Sequence, residues 1–354
     1  MTADATETML RLRDEHVFDP APRQAELFRF HVPFDELTGG TTCEQTLDAA
    51  LRRGEQVALI GSSGSGKSSV VSYVLGPLVE DLAPLPIPVS LEAEEVATSP
   101  VAFAAHLVRT VARYIAYAQP ADEDDARRIL RRTTPTLPSD RRRPTKVSVA
   151  PSWMGVRLEL AAELDSASSP SSPRSGAEVV EQARRILELI AARDLLPVLV
   201  FDDTDKWLQV SAPADSARLV DGFFGRVVRL IAEELPAAAV IAVHDHYVSQ
   251  PGYRSAEGFI ESSIHVPPVP DVTGLARILA QRVADLTDRP LTELVTPVAM
   301  RLLMRHYLRG RTGDLRRRVM YVAHTALARA CDDAAPAITE RHMRLAISEC
   351  APNG

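Results

Sequence analysis

The chain has 354 residues, 45% of them hydrophobic and 25% charged, with 40 Lys or Arg against 47 Asp or Glu for a formal net charge of −7. That length suits two or three units of roughly 100–200 residues, and the ordinary composition excludes wholesale disorder and a collagen-like fibre. Cys43, Cys331 and Cys350 have no C-x-x-C spacing, which argues against a disulfide framework or a cysteine zinc site. The acidic balance confines any nucleic-acid contact to a local basic patch. No apolar run approaches the roughly 20 residues that span a bilayer, and the N-terminus lacks a secretory apolar stretch, so a soluble, cytoplasmic chain without membrane contact is expected. Only Lys67, Lys146 and Lys206 are lysines; every other basic residue is arginine.

In chain order, residues 1–24 are polar and carry no readable role. A short helical lead-in over 28–51 precedes a buried strand at 57–60, a glycine-rich turn and a helix from about 66 to 78. A second strand is expected at 87–92, and Pro100 opens an amphipathic helix through Tyr117. The rhythm breaks over 119–175: an acidic run, a stretch rich in arginine, an alternating segment at 146–164 that reads as a β-hairpin around Trp153 and Met154, and a Ser/Pro-rich linker at 166–176. Helix resumes after the linker, followed by strand 196–201, a long helix 215–234, strand 238–243 and a short strand near 263–266. Helices follow at 272–286, 290–309, 314–331 and 339–349, the last capped by Thr339. Strands alternating with helices, then helices alone, predict a parallel α/β core followed by an all-helical domain.

Two motifs carry chemistry. Gly61-Ser62-Ser63-Gly64-Ser65-Gly66-Lys67-Ser68 fits G-x-x-x-x-G-K-[ST] between a predicted strand and helix, with Ser69 next in line. Its glycines let backbone N–H groups converge on phosphate oxygens at a helix N-terminus. Lys67 would bridge the β- and γ-phosphates of ATP, and the Ser68 hydroxyl would ligate Mg²⁺. The second motif is the apolar strand Val198–Phe201 ending in Asp202 and Asp203. Asp202 would hold Mg²⁺ through water, and Asp203 would sit where a base orients the attacking water; a solvated Asp-Asp turn is the alternative.

A phosphate loop followed by Asp202-Asp203-Thr204-Asp205-Lys206-Trp207 resembles the AAA+ ATPases, especially their origin-recognition and replication-initiator clade. The resemblance implies a P-loop NTPase core of the ASCE/AAA+ type over residues 25–268, interrupted by the 119–175 insertion, and a helical lid over 269–354. The clade usually has Asp-Glu-x-Asp where this chain has Asp-Asp-Thr-Asp, which implies a weaker base and a slow switch rather than a fast motor. His244 occupies the position of the catalytic polar sensor-1 residue, commonly Asn, Ser or Thr. Arg277-Ile278-Leu279 with Arg282 is similar to the first lid helix. Gly313-Asp314-Leu315-Arg316 is similar to the sensor-2 signature, in which Arg316 would reach the nucleotide phosphates. Arg254 is the one arginine between His244 and the last core strand, and a weak match for an arginine finger. The Asp-Asp pair also resembles the STAND class of signalling NTPases, which recruit a protein effector, so that alternative stays open. The winged-helix domain that usually follows the lid in initiators is not expected after residue 349.

Partners follow from charge. Arg127, Arg128, Arg131, Arg132, Arg141, Arg142, Arg143 and Lys146 form the densest basic cluster and could bind DNA or RNA phosphates, or pair with the acidic run at 122–125. The expectation is an ATPase that uses ATP and Mg²⁺. It would work as a DNA-associated assembly or regulatory switch, initiator-like or transposition-regulator-like, with a protein partner and homo-oligomers in view. The alternative is a STAND-like signalling or anti-phage defence ATPase.

Overall fold

The computed structural model describes residues 2–19, 29–75, 84–91, 93–117, 175–192, 195–209, 213–309 and 315–350. The basic cluster, the expected hairpin and all but the last two residues of the 166–176 linker lie outside the described residues. The chain divides into two compact units, one of residues 47–60 and 77–264, the other of residues 1–46, 61–76 and 265–354.

The first unit is built on a five-stranded sheet, β1 (Gln56–Ile60), β2 (Pro84–Pro88), β3 (Leu196–Phe201), β4 (Ala238–Val243) and β5 (Ser262–His265), in the order β2-β3-β4-β1-β5. The pairings of β1 with β4, β4 with β3, and β3 with β2 are parallel. Every residue of β1 and β4 is buried, and apart from Gln56 all are apolar, as strands in a sheet covered on both faces require. Ile60 pairs with Val243 and Phe201 with Ile241, so the carboxyl ends of β1, β3 and β4 share one edge of the sheet.

The second strand lies earlier than the expected 87–92, and the reason is its prolines. Pro84, Pro86 and Pro88 occupy alternate positions, and the Val89 N–H donates to the Val200 carbonyl at 2.9 Å. By that parity the N–H groups missing at the prolines are those facing away from β3, which an edge strand tolerates. Leu85 and Ile87 fall between them and are buried.

Helices Pro100–Tyr117 and Gly176–Ala191 pack on this unit, the second opened by a capping box in which the Glu178 N–H donates to Ser175 Oγ at 3.3 Å and the Ser175 N–H to Glu178 Oε2 at 2.8 Å. The long helix expected at 215–234 is continuous in course but carries a π-helical segment, Phe223–Val228, between Pro213–Gly222 and Arg229–Glu234. That segment turns Phe223 and Phe224 inward beneath the end of β3. The Phe223 ring lies 5.5 Å from Phe201 and 5.4 Å, edge-on, from Trp207, and Phe224 lies 5.1 Å from Tyr253.

The second unit is helical. The N-terminal residues, unreadable by pattern, form the helix Thr2–Asp14, which buries Met9 and Leu12 and accepts a hydrogen bond from the Cys331 thiol at the Met9 carbonyl, 3.3 Å. The helix expected at 290–309 is broken into Leu291–Leu294 and Pro297–Arg309. Pro297 cannot continue a helix from the preceding residues, and the freed backbone finds other partners: Thr296 N–H donates to the Ile338 carbonyl at 3.0 Å, and Ile338 N–H to that of Leu294 at 2.7 Å. Helices Val272–Val283, Leu315–Asp332 and Glu340–Glu349 complete the expected C-terminal set. No helix among the described residues is long and apolar enough to cross a membrane.

Candidate nucleotide site

The phosphate loop leads into the helix Lys67–Leu75 of the helical unit. Gly64 (φ 69°) and Gly66 (φ 104°) adopt left-handed backbone conformations, which only glycine enters without strain. Lys67 is buried, and its Nζ donates to the carbonyls of Gly61 at 2.7 Å and Ser62 at 3.0 Å, so the ammonium is drawn back over the start of its own loop.

Arg316 meets this loop from the helix Leu315–Asp332. Its Nη1 lies 2.3 Å from where a Cβ on Gly66 would stand, so position 66 has no room for any side chain while the guanidinium is there. The guanidinium sits over the Phe34 ring, Cζ 4.9 Å from the centroid. Its Nε and Nη2 are buried and have no hydrogen-bond partner, and neither has the buried Ser65 hydroxyl. Burial pushes the Arg316 guanidinium below the usual arginine range. Orphaned buried donors beside a phosphate loop fit an anion, because a buried guanidinium without one leaves its desolvation uncompensated. Gly313 and Asp314, the rest of the predicted signature, lie outside the described residues.

The same unit holds side chains that sequence reading did not single out. His31 and Glu44 are buried; His31 Nδ1 is 2.8 Å from Ser69 Oγ, and His31 Nε2 is 2.8 Å from Glu44 Oε1. Burial raises the Glu44 carboxyl, but hydrogen bonds from His31 and from the Glu44 and Phe34 backbone outweigh it and hold the group below its ordinary value. Neither residue belongs to a motif, and 38 positions separate His31 from Ser69.

In the sheet unit, Asp202 and Asp203 follow β3, and the Asp203 N–H donates to Asp202 Oδ1 at 2.9 Å. Asp203 is left-handed, φ 55° and ψ 32°, a conformation that Asp tolerates better than most residues and that recurs at functional turns. Its carboxylate is ion-paired with Lys206, one turn along the helix Thr204–Leu208, which gives that lysine the partner the sequence could not supply. Thr204, fully buried, donates its hydroxyl to the Ala242 carbonyl and clasps this turn to β4. His244 follows β4 and caps the helix Asp245–Val248: its Nδ1 accepts the His246 N–H at 3.2 Å and lies 2.7 Å from His246 Nδ1. Desolvation, then the neighbouring His244, lowers the His246 pKa. Arg254 is exposed on the helix Pro251–Ala256.

Among the described residues no group of three or more His, Cys, Asp or Glu is placed to hold a metal ion. Magnesium does not need such a cage: it takes one or two protein oxygens and fills its octahedron with water and substrate phosphates. The Ser68 hydroxyl and the Asp202 carboxylate are donors of that type.

Compared with known proteins, residues 43–229 match the family model of the AAA ATPase domain. Among solved structures, the ORC1 protein of Aeropyrum pernix, determined in complex with DNA, is 17% identical over 92% of this chain and 69% of that one, with a TM-score of 0.51. Cdc6p of Pyrobaculum aerophilum is 14% identical over 94% of this chain and 70% of that one, TM-score 0.48. The ORC2 protein of Aeropyrum pernix, solved in ADPNP–ADP complexes, is 16% identical over 88% of this chain and 67% of that one, TM-score 0.47. A comparison with curated proteins returned no match.

Proposed function

Because the chain belongs to the AAA ATPase domain family, we propose that it is an ATP-binding and ATP-hydrolysing molecular switch that serves as a DNA-associated assembly or regulatory factor, initiator-like or transposition-regulator-like. The observation that supports nucleotide binding most directly is the pair of buried, unpartnered nitrogens of Arg316, Nε and Nη2, on a guanidinium that lies against Gly66, one residue before Lys67.

In this reading the backbone of Gly61–Ser69 wraps the phosphates, and Lys67 leaves the Gly61 and Ser62 carbonyls to bridge the β- and γ-oxygens. Arg316 supplies its orphaned N–H groups to the same phosphates, which makes the helical unit sensitive to what is bound. Ser68 and Asp202 would hold Mg²⁺, which when bound neutralises charge on the transferring phosphoryl group. Asp203 orients the attacking water once its carboxylate is released from Lys206, and His244 is the sensor of the γ-phosphate or water. Arg254, exposed on its helix, is the residue available to a neighbouring copy in a homo-oligomer.

DNA association rests on the sequence cluster Arg127, Arg128, Arg131, Arg132, Arg141, Arg142, Arg143 and Lys146, which would neutralise backbone phosphates without reading sequence. The fold shared with the DNA-bound ORC1 protein of Aeropyrum pernix supports the reading at the level of architecture alone. The test is ATPase activity with and without duplex DNA, alongside DNA affinity across a salt series. Stimulation by DNA, and salt-dependent binding weakened in the triple variant Arg141→Ala, Arg142→Ala, Arg143→Ala, are the expected results. ATP-dependent association with a protein partner, indifferent to DNA, would replace this reading with the effector-recruiting one.

A further inference from the structure

Ser69, His31, Glu44 and Phe34 join the phosphate-loop helix to Arg316 through one chain of contacts within the helical unit. It starts at Ser69, two positions after Lys67, whose hydroxyl lies 2.8 Å from His31 Nδ1. His31 is held a second time by the same helix: the Tyr73 ring, one turn after Ser69, lies 4.6 Å from its centroid. The opposite ring nitrogen, Nε2, is 2.8 Å from Glu44 Oε1, and that oxygen also accepts the Phe34 N–H at 2.9 Å. The carboxylate requires a proton on Nε2, so in the neutral ring Nδ1 is the acceptor and the Ser69 hydroxyl donates to it. Phe34 is completely buried, and its ring carries the Arg316 guanidinium at 4.9 Å.

What holds Arg316 matters as much as where it is. A carboxylate partner would satisfy the guanidinium and compete with any phosphate. An aromatic face attracts the cation without using its N–H groups, and Nε and Nη2 remain unpaired. Phe34 can do this only if its own backbone is fixed, and Glu44 fixes it by accepting the N–H at the same oxygen that anchors His31.

We propose that His31, Glu44 and Phe34 form a positioning relay that presents Arg316 to the terminal phosphates of a nucleoside triphosphate, so that triphosphate affinity depends on buried residues that never touch the nucleotide. The proposal rests on the nucleotide-site reading above. None of the three is a catalytic residue: each acts through the guanidinium at Gly66, and Ser69 registers the relay on the phosphate-loop helix.

The experiment is calorimetric titration of the full chain with Mg²⁺ and a non-hydrolysable ATP analogue, for the wild type, Glu44→Ala, Arg316→Ala, the double variant and Glu44→Gln, with a thermal melt of each. Both single alanine variants should weaken binding roughly tenfold, with the double no weaker than Arg316→Ala alone, as coupled residues require. Glu44→Gln keeps an oxygen for the Phe34 N–H and should recover most of the affinity. Should Glu44→Ala fail to fold, Phe34→Leu, which keeps the apolar volume and removes the ring, should reproduce the Arg316→Ala loss. Losses that multiply in the double variant, wild-type affinity in Glu44→Ala or in Phe34→Leu, or an Arg316→Ala protein that binds normally would overturn the relay while leaving the nucleotide site standing. A wild type that does not bind the analogue, or a Lys67→Ala variant that binds as well as wild type, removes both.

Discussion

Lys67 is the residue on which the nucleotide reading depends most, and its environment explains why a lysine stands there in a chain that otherwise uses arginine. A compact ammonium on a flexible stem can rest on two carbonyls of its own loop and swing to phosphate oxygens, whereas a guanidinium offers its donors in a rigid planar fork. Lys67→Ala should abolish ATP binding by calorimetry; unchanged affinity would refute the assignment of the loop. Asp203 makes a different claim. Asp203→Asn should bind ATP with near wild-type affinity and lose turnover, and persistent turnover would place the base elsewhere. Lys206 occupies one oxygen of that carboxylate in an exposed ion pair, the side chains 62% and 49% accessible. Exposed pairs are weak, up to about 1 kcal/mol, so Lys206→Met should raise kcat by roughly two- to fivefold. A lower kcat would mean that the lysine orients Asp203 instead of holding it back.

At the scale of elements, strands β1, β3 and β4 are the most legible part of the chain because each carries a run of consecutive buried apolar residues, 57–60, 198–201 and 238–243. Misplaced or divided elements have local causes. Alternate prolines hide the second strand at Pro84–Pro88 from a pattern reading, Pro297 divides the helix expected at 290–309, and a π segment interrupts the long helix before Arg229. The clasp at Thr204 shows what no pattern could reveal: a threonine between acidic residues reads as solvent-facing, yet it is fully buried and bonded to the carbonyl of Ala242, 38 positions away. Thr204→Val keeps the shape and removes the donor, leaving that carbonyl unsatisfied. Chemical denaturation should show a loss of about 1–3 kcal/mol, and a variant as stable as wild type would show that the hydroxyl contributes nothing to holding the acidic turn.

For the whole molecule, ligand linkage offers a check independent of turnover. A ligand that binds only the folded state adds about 2.7 kcal/mol at a concentration one hundredfold above its Kd. ATP with Mg²⁺ should therefore raise the Tm of the wild type and leave that of Lys67→Ala unmoved, and equal shifts in both proteins would count against the loop as the binding site. The compact units themselves do not follow chain order: residues 61–76, read from the sequence as part of the 25–268 core, cluster with residues 1–46 and 265–354. The sequence by itself determined the glycine-rich turn after β1, the acidic strand end, the parallel α/β core and the helical character of the C-terminal residues. Those features are local, because a turn that cradles phosphate needs particular glycines in succession and a doubly covered strand needs consecutive apolar residues. Only the tertiary structure decided that Arg316 lies against Gly66 over Phe34, that Lys206 pairs with Asp203, and that His31 and Glu44 link the Phe34 segment to the phosphate-loop helix. Apart from the Lys206 pair, which needed the course of a five-residue helix, these contacts join residues separated by 10 to more than 200 positions. Side chains so placed share no periodicity or motif, and what brings them together is the common burial of one core.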